Sequence, residues 1–345
     1  MKCLFKLALL FCSVFLLATT VTSAQELNVV GSWSNLTMHK NFEKPFWTET
    51  VPAALPEFSV KLSSLGTIAP KGPEVLHRLA KGEYDVVHTC ADYVASDSQA
   101  LAGLDMPVLA PEIGQAHNVT EAYRPVVADA LAQDYNGKLL AITPYPAHAI
   151  FCREKFTELD DLKGRKIRVS GWSTSEFAKT IGAIGVNVAF NKVFDAFQSG
   201  EIDCAHTGTL SGYYADWGKV ANYVYPMLIG GWDYVLTVMN MDTWNGLSPE
   251  EQKKLQGLVN EKLEKPVWET TARESKEGLD CLTGGTCPHG EANNMSLVPL
   301  SMTDLVRARM ILTDDILPAW GKLVSTETSE RWNATAGKQA NLRVH

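Results

Sequence analysis

The sequence has no excess of positive charge: 31 lysines and arginines face 39 aspartates and glutamates, for a formal net charge of −8. Nucleic-acid binders carry a basic footprint that neutralises phosphates, so nucleic acid is not an expected partner. Low-complexity blocks and heptad runs are missing too, which excludes disordered, fibrous and coiled-coil classes. No nucleophile elbow, Walker loop, dinucleotide fingerprint, His-Glu-x-x-His or EF-hand loop occurs. The carboxylates show no pairing that marks acid–base catalysis. The histidines are dispersed without metal-ligand spacing; His88, His148 and His206 are the set that could meet in a cleft, and no metal or cofactor is expected. These absences shift the weight from an enzyme towards a binding protein.

Long apolar runs are scarce, and the one present is terminal. Lys2 and Lys6 precede an apolar stretch from Leu7 to Leu17, and Thr22-Ser23-Ala24 supplies small residues. That run is too short for a membrane span and reads as a cleavable secretory signal peptide over residues 1–24. No cysteine follows the cleavage site, so no lipid anchor is indicated, and the mature chain is expected to be soluble and exported. Cysteines are also few: Cys90, Cys152, Cys204, Cys281 and Cys287 remain after cleavage. In an oxidising compartment Cys281 and Cys287 can close over the Gly284-Gly285 turn. Cys152 and Cys204 can pair if their strands are neighbours, and Cys90 is expected to stay free.

At 345 residues the chain exceeds the ~250–300 at which a single core stops growing, so two lobes are expected. Residues 27–31, 59–65, 84–89, 166–169 and 235–239 read as strands, with helices between them, including 73–81 and 192–199. Such alternation implies βαβ units around largely parallel sheets. An internal echo supports two lobes of similar plan: Gly82-Glu-Tyr-Asp-Val-Val-His-Thr89 matches Gly200-Glu-Ile-Asp-Cys-Ala-His-Thr207. Helix-Gly-x-x-Asp-strand is also a common connection in its own right. Under the two-lobe reading, His88, Thr89, His206 and Thr207 face one cleft, because ligands in open α/β sheets bind beyond the strands' carboxyl ends.

Arg168 ends the strand Lys166-Ile-Arg-Val169, and Ser173-Thr-Ser-Glu176 reads as a capping box opening the next helix. A guanidinium there can grip a carboxylate bidentately, or it can pair with a neighbour such as Asp161. Trp33, Trp172, Phe190 and Trp232 stand at strand ends and suggest a partly aromatic pocket. Ser248-Pro-Glu-Glu251 starts a helix running to about Leu282, long enough to brace both lobes. A last helix spans about 302–324, with Pro318 kinking it.

Asp161-Leu-Lys-Gly-Arg-Lys-Ile-Arg-Val169 closely resembles a hallmark of the solute-binding subunits of tripartite ATP-independent periplasmic (TRAP) transporters, the DctP type. The similarity continues through Gly185, Phe190-Asn-Lys-Val-Phe194, Gly200-Glu-Ile-Asp203 and Asn240 to Pro249. The resemblance implies a two-lobed α/β periplasmic binding protein fold with a hinge. Its parts would be lobe I at 25–147, lobe II at 148–231, a return strand and bracing helix with a disulfide loop at 232–301, and a C-terminal helix and tail at 302–345. The crossings near Ala147–Phe151 and Gly230–Tyr234 would be the hinges.

By the same resemblance Arg168 holds the substrate carboxylate. His148 stands where the family often has a second arginine, and Thr207, near Thr209, replaces a supporting asparagine. The expected ligand is a small organic acid, a monocarboxylate with an apolar or aromatic body. A monomer in the periplasm would deliver it to integral-membrane TRAP permease subunits. A receptor feeding a membrane sensor, or an exported α/β enzyme, are the alternatives.

Overall fold

The computed structural model describes residues 25–69 and 71–345. The signal-peptide reading falls on residues 1–24, outside the described residues. Among the described residues no helix is long and apolar enough to cross a membrane.

Eleven strands are described: β1 (Gln25–Gly31), β2 (Phe58–Ser64), β3 (Val86–Cys90), β4 (Gly137–Thr143), β5 (His148–Cys152), β6 (Lys166–Val169), β7 (Ile184–Asn187), β8 (Cys204–Gly208), β9 (Tyr223–Tyr225), β10 (Val235–Asn240) and β11 (Ser296–Leu297). They form two sheets, ordered β2-β1-β3-β10-β4 and β11-β9-β5-β8-β6-β7. The first begins with three parallel strands; β10 is antiparallel to β3, and β4 is antiparallel to β10. The second repeats the plan: β7, β6 and β8 are parallel, β5 is antiparallel to β8, and β9 is antiparallel to β5. The lobes share one topology, and the sequence echo marks equivalent places in it. Gly82 and Gly200 both adopt φ +74°, a conformation glycine takes without a Cβ clash. Asp85 accepts a 2.8 Å hydrogen bond from Asn28 N in β1, and Asp203 accepts one of 2.8 Å from Lys166 N in β6. Each aspartate thus ties its strand to the parallel neighbour.

Besides the long-helix region between β10 and β11, two segments carry the chain between sheets, one between β4 and β5 and one between β9 and β10. They run side by side, with Tyr145 N donating to Trp232 O at 2.9 Å and His148 N to Gly231 O at 3.3 Å. Asp105 accepts hydrogen bonds from Trp232 N and Asp233 N, which fixes the second strap. The first crossing is residues 144–147 rather than 147–151, because His148–Cys152 is paired on both sides by β8 and β9.

A continuous helix runs from Pro249 to Leu282 as an α segment, a π turn (Val259–Glu264) and a second α segment (Lys265–Leu282). Ser248 and Glu251 cap its start reciprocally. Val259 and Leu263 pack into the core of the first lobe with Leu27, Val29 and Trp47. Farther along, Gly278 lies against the backbone of Leu210 in the second lobe, where a Cβ would approach Leu210 N to 2.3 Å. Four π turns end two residues before a proline: Glu43 before Pro45, Thr50 before Pro52, Glu264 before Pro266 and Ile316 before Pro318. A proline has no N–H and crowds the carbonyl four residues back, so the preceding turn widens. Pro318 accordingly follows a π turn in the helix from Met302 to Gly321.

That helix ends before 324, and two short helices follow, Thr326–Ala334 and Ala336–Ala340. Ser325 caps the first of them. Trp332 pins it by donating to Gly103 O at 2.8 Å. The capping-box reading at Ser173 and Glu176 also needs correction. The helix starts at Trp172, and its start is closed by Thr174, whose hydroxyl accepts from Ser170 N and Gly171 N. Disulfides join Cys152 to Cys204 across β5 and β8, and Cys281 to Cys287; Cys90 is free and buried.

Candidate functional site

The carboxyl ends of β1 and β3 face those of β6 and β7 across a cavity of about 560 Å³. The first lobe contributes Trp33, Thr89, Asp92 and Tyr93, and the second contributes Arg168, Ser170, Trp172, Asn187 and Phe190. This volume lies in the range of small-molecule sites, and the wall mixes aromatic rings with a few polar groups. Trp33 and Phe190 lie across the cleft with ring centroids 5.4 Å apart. Lys71 sits at the exposed rim, where its ammonium donates to the carbonyls of Leu65 and Ile68 at 3.0 Å each.

Arg168 is only 3% exposed. Its Nε donates to Val188 O at 3.0 Å and one Nη1 hydrogen to His206 O at 3.1 Å, so strand ends on either side hold the guanidinium plane. Among the described residues no protein acceptor is paired with Nη2. Asp161 instead accepts from Thr157 N and Oγ1 and does not reach Arg168. Thr89 is 1% exposed, lines the cavity, and among the described residues its hydroxyl has no partner. A buried donor-acceptor without a partner is costly unless a bound molecule satisfies it.

Thus Arg168, Trp33, Trp172, Phe190 and Thr89 meet at the cavity, and the other expected residues do not line it. Strand alternation turns His88 to the opposite face from Thr89. It accepts from Trp47 Nε1 at 2.7 Å and contacts Glu43 Oε1 at 3.3 Å and Thr237 Oγ1 at 3.1 Å. Because Nε2 accepts, Nδ1 carries a proton and its hydrogen-bond partner is Thr237 Oγ1, with the buried Glu43 carboxylate alongside. The three histidines therefore do not converge. His148 and His206 do meet, Nδ1 to Nδ1 at 3.2 Å, behind Arg168 rather than in the cavity. Burial, then the Arg168 charge, pushes the His148 pKa down to about 3. The same causes, together with His148, lower that of His206. One nitrogen must donate and the other accept, and the lowered pKa values favour two neutral rings.

Thr207 is buried in β8 outside the cavity wall. Thr209 donates to Ser275 O of the long helix at 2.8 Å, and Trp232 donates to Ala110 O at 2.8 Å. Both spend their polar atoms on packing between segments.

Sequence reasoning missed Asp92, Tyr93, Ser170 and Asn187. Ser170 Oγ donates to Asp92 Oδ2 at 2.7 Å, linking the lobes directly. Burial raises the Asp92 pKa against the opposing pull of Ser170 and Arg168. Asp233, on the strap, is pushed up to about 7 by burial and by Asp92, with Arg168 pulling the other way. The position of Asp92 three residues after the echoed His-Thr was the one available signal for it.

Two α/β lobes of one topology, closed over a polar-and-aromatic cavity, define a two-lobed binding protein. The chain belongs to the bacterial extracellular solute-binding protein family 7, the DctP family, whose model matches residues 35–283. Members of this family are solute receptors of TRAP transport systems, so the chain is a transport receptor and not an enzyme. Among similar solved structures is DctP7 of Bordetella pertussis, an extracytoplasmic solute receptor binding pyroglutamic acid (TM-score 0.79, 21% identity, 91% of this chain and 99% of that one). Another is a TRAP periplasmic solute-binding protein of Desulfovibrio salexigens with bound orotic acid (TM-score 0.81, 15% identity, 92% and 98%). A third is the ectoine-binding protein of the TeaABC TRAP transporter of Halomonas elongata (TM-score 0.80, 14% identity, 92% and 100%). No curated protein sequence matches the chain.

Proposed function

We propose that the chain is a monomeric periplasmic receptor, exported through a cleavable signal peptide. In this reading it captures a small organic acid with an apolar body and delivers it to TRAP permease subunits. The observation that carries the ligand class is Arg168: a buried guanidinium held by two carbonyls, with Nη2 left over in a cavity shared by both lobes. A carboxylate there would accept charge-assisted hydrogen bonds while Trp33, Trp172 and Phe190 cover the rest of the molecule. His148, neutral and turned to His206, supplies no second cation, which favours one carboxylate over two. A ligand bridging the lobes would stabilise the closed state, with residues 144–147 and 226–234 as the flexing straps. Pyroglutamate and orotate, bound by the Bordetella and Desulfovibrio proteins, are compact ring acids of this description.

The test is a thermal-shift screen of the mature protein over ring-bearing monocarboxylates and matched dicarboxylates, followed by calorimetry on Arg168→Ala. Stoichiometric binding without turnover is expected, with at least a hundredfold loss in the variant. Wild-type affinity in Arg168→Ala overturns the anchor.

A further inference from the structure

The cavity holds an anion as well as a cation. Asp92, from the first lobe, stands in the same wall as Arg168 from the second, and its Oδ2 accepts from Ser170. Among the described residues its Oδ1 has no hydrogen-bond partner. Carboxylate oxygens in a largely apolar enclosure need donors, and one of them is left for whatever fills the space. Asp233, on the adjoining strap, adds to the negative field that Arg168 experiences. Lys71 does not offset this, because it is at the solvent-screened rim with its ammonium on two backbone carbonyls.

A plain monocarboxylate enclosed here would bring a second anion into a space that already contains one. A ligand that carries its own positive charge avoids that repulsion and gains a charge-assisted hydrogen bond at Asp92. The remaining wall suits the same molecule: the faces of Trp33, Tyr93, Trp172 and Phe190 accept either an apolar ring or the flank of a cationic nitrogen.

We propose that the receptor selects a small zwitterion, with its carboxylate on Arg168, a protonated ring or side-chain nitrogen on Asp92, and its apolar body between the aromatic rings. The inference rests on the carboxylate anchor proposed above and adds the charge at the other end. It treats Asp92 as a specificity residue, not only as the acceptor of the bond from Ser170.

Calorimetry on the mature protein with matched six-membered-ring acids tests it. The probes are piperidine-2-, -3- and -4-carboxylate, the neutral cyclohexanecarboxylate skeleton, and 2-hydroxycyclohexanecarboxylate. At least one piperidine acid is expected to bind tenfold or more tightly than both nitrogen-free acids. In Asp92→Asn, which keeps an oxygen for Ser170, that ratio is expected to fall to near one. Ser170→Ala, by contrast, should weaken all ligands alike and preserve the ratio. If cyclohexanecarboxylate binds in an Arg168-dependent way and no piperidine acid outdoes it, the zwitterion is overturned and the anchor stands. Equal binding of the hydroxy acid, or an unchanged preference in Asp92→Asn, also overturns it. Failure of all five acids to bind overturns both readings.

Discussion

Ser170 Oγ and Asp92 Oδ2 are 2.7 Å apart, and the bond between them crosses from one lobe to the other at the cavity wall. A hydrogen bond made only when the lobes are together contributes to the closed state and not to the open one, so it adds to apparent ligand affinity. Bonds to charged acceptors are worth about 1.5–3 kcal/mol. Ser170→Ala is expected to weaken binding about tenfold. Calorimetry should show the loss with the melting temperature of the ligand-free protein little changed.

Gly171 approaches Asp92 so closely that a Cβ would lie 2.0 Å from Oδ1 and 2.5 Å from the backbone oxygen. Its φ of −164° is extended, so the position needs glycine for space and not for backbone freedom. Gly171→Ala should therefore fold normally but stop short of closure. We expect at least a hundredfold loss of affinity, and small-angle scattering should find no compaction on adding ligand. Full compaction in the variant would show that the contact is not required.

The neutral His148–His206 pair makes the fold sensitive to acid. For His148 the folded-state pKa is about 3, against an ordinary value of 6.5. The unfolded chain thus takes up a proton below pH 6.5 that the folded chain refuses. The stability held by this group is complete above pH 6.5 and is lost as pH falls towards 3, by about 1.4 kcal/mol per pH unit. His148→Gln should flatten the fall of melting temperature between pH 7 and pH 4 relative to the wild type. An identical slope would place the sensitivity elsewhere.

The architecture was legible because it repeats. Gly82 and Gly200 share one conformation, and Asp85 and Asp203 each bind the backbone of the neighbouring parallel strand. Local rules of capping and turning thus reported two equivalent units. Arg168 was legible for a different reason: a cation at a strand's carboxyl end has few partners to satisfy it. Much of the motif around it is structural, as Asp161 shows by closing the turn at Thr157.

The histidines misled because strand alternation sends His88 and Thr89 to opposite faces, and the sequence does not say which face is the cleft. Asp92, Ser170 and Gly171 were missed because their role exists only where distant segments meet, 78 residues apart for the Asp92–Ser170 bond. The first crossing between the sheets was placed a few residues late, since β5 gains pairing partners on both sides only in three dimensions.

The central position of β10 in the first sheet, between β3 and β4, bears on how the molecule is made. β3 and β4 are synthesised first, yet each keeps an open hydrogen-bonding edge until residue 240 arrives. The five strands β5 to β9, in contrast, lie within residues 148–225 and need nothing from outside that stretch to pair. A polypeptide emerging amino end first can therefore pair five of the six strands of its second sheet before the first sheet receives its inner strand, and the earlier half must wait, unfinished, for a strand encoded after most of its twin.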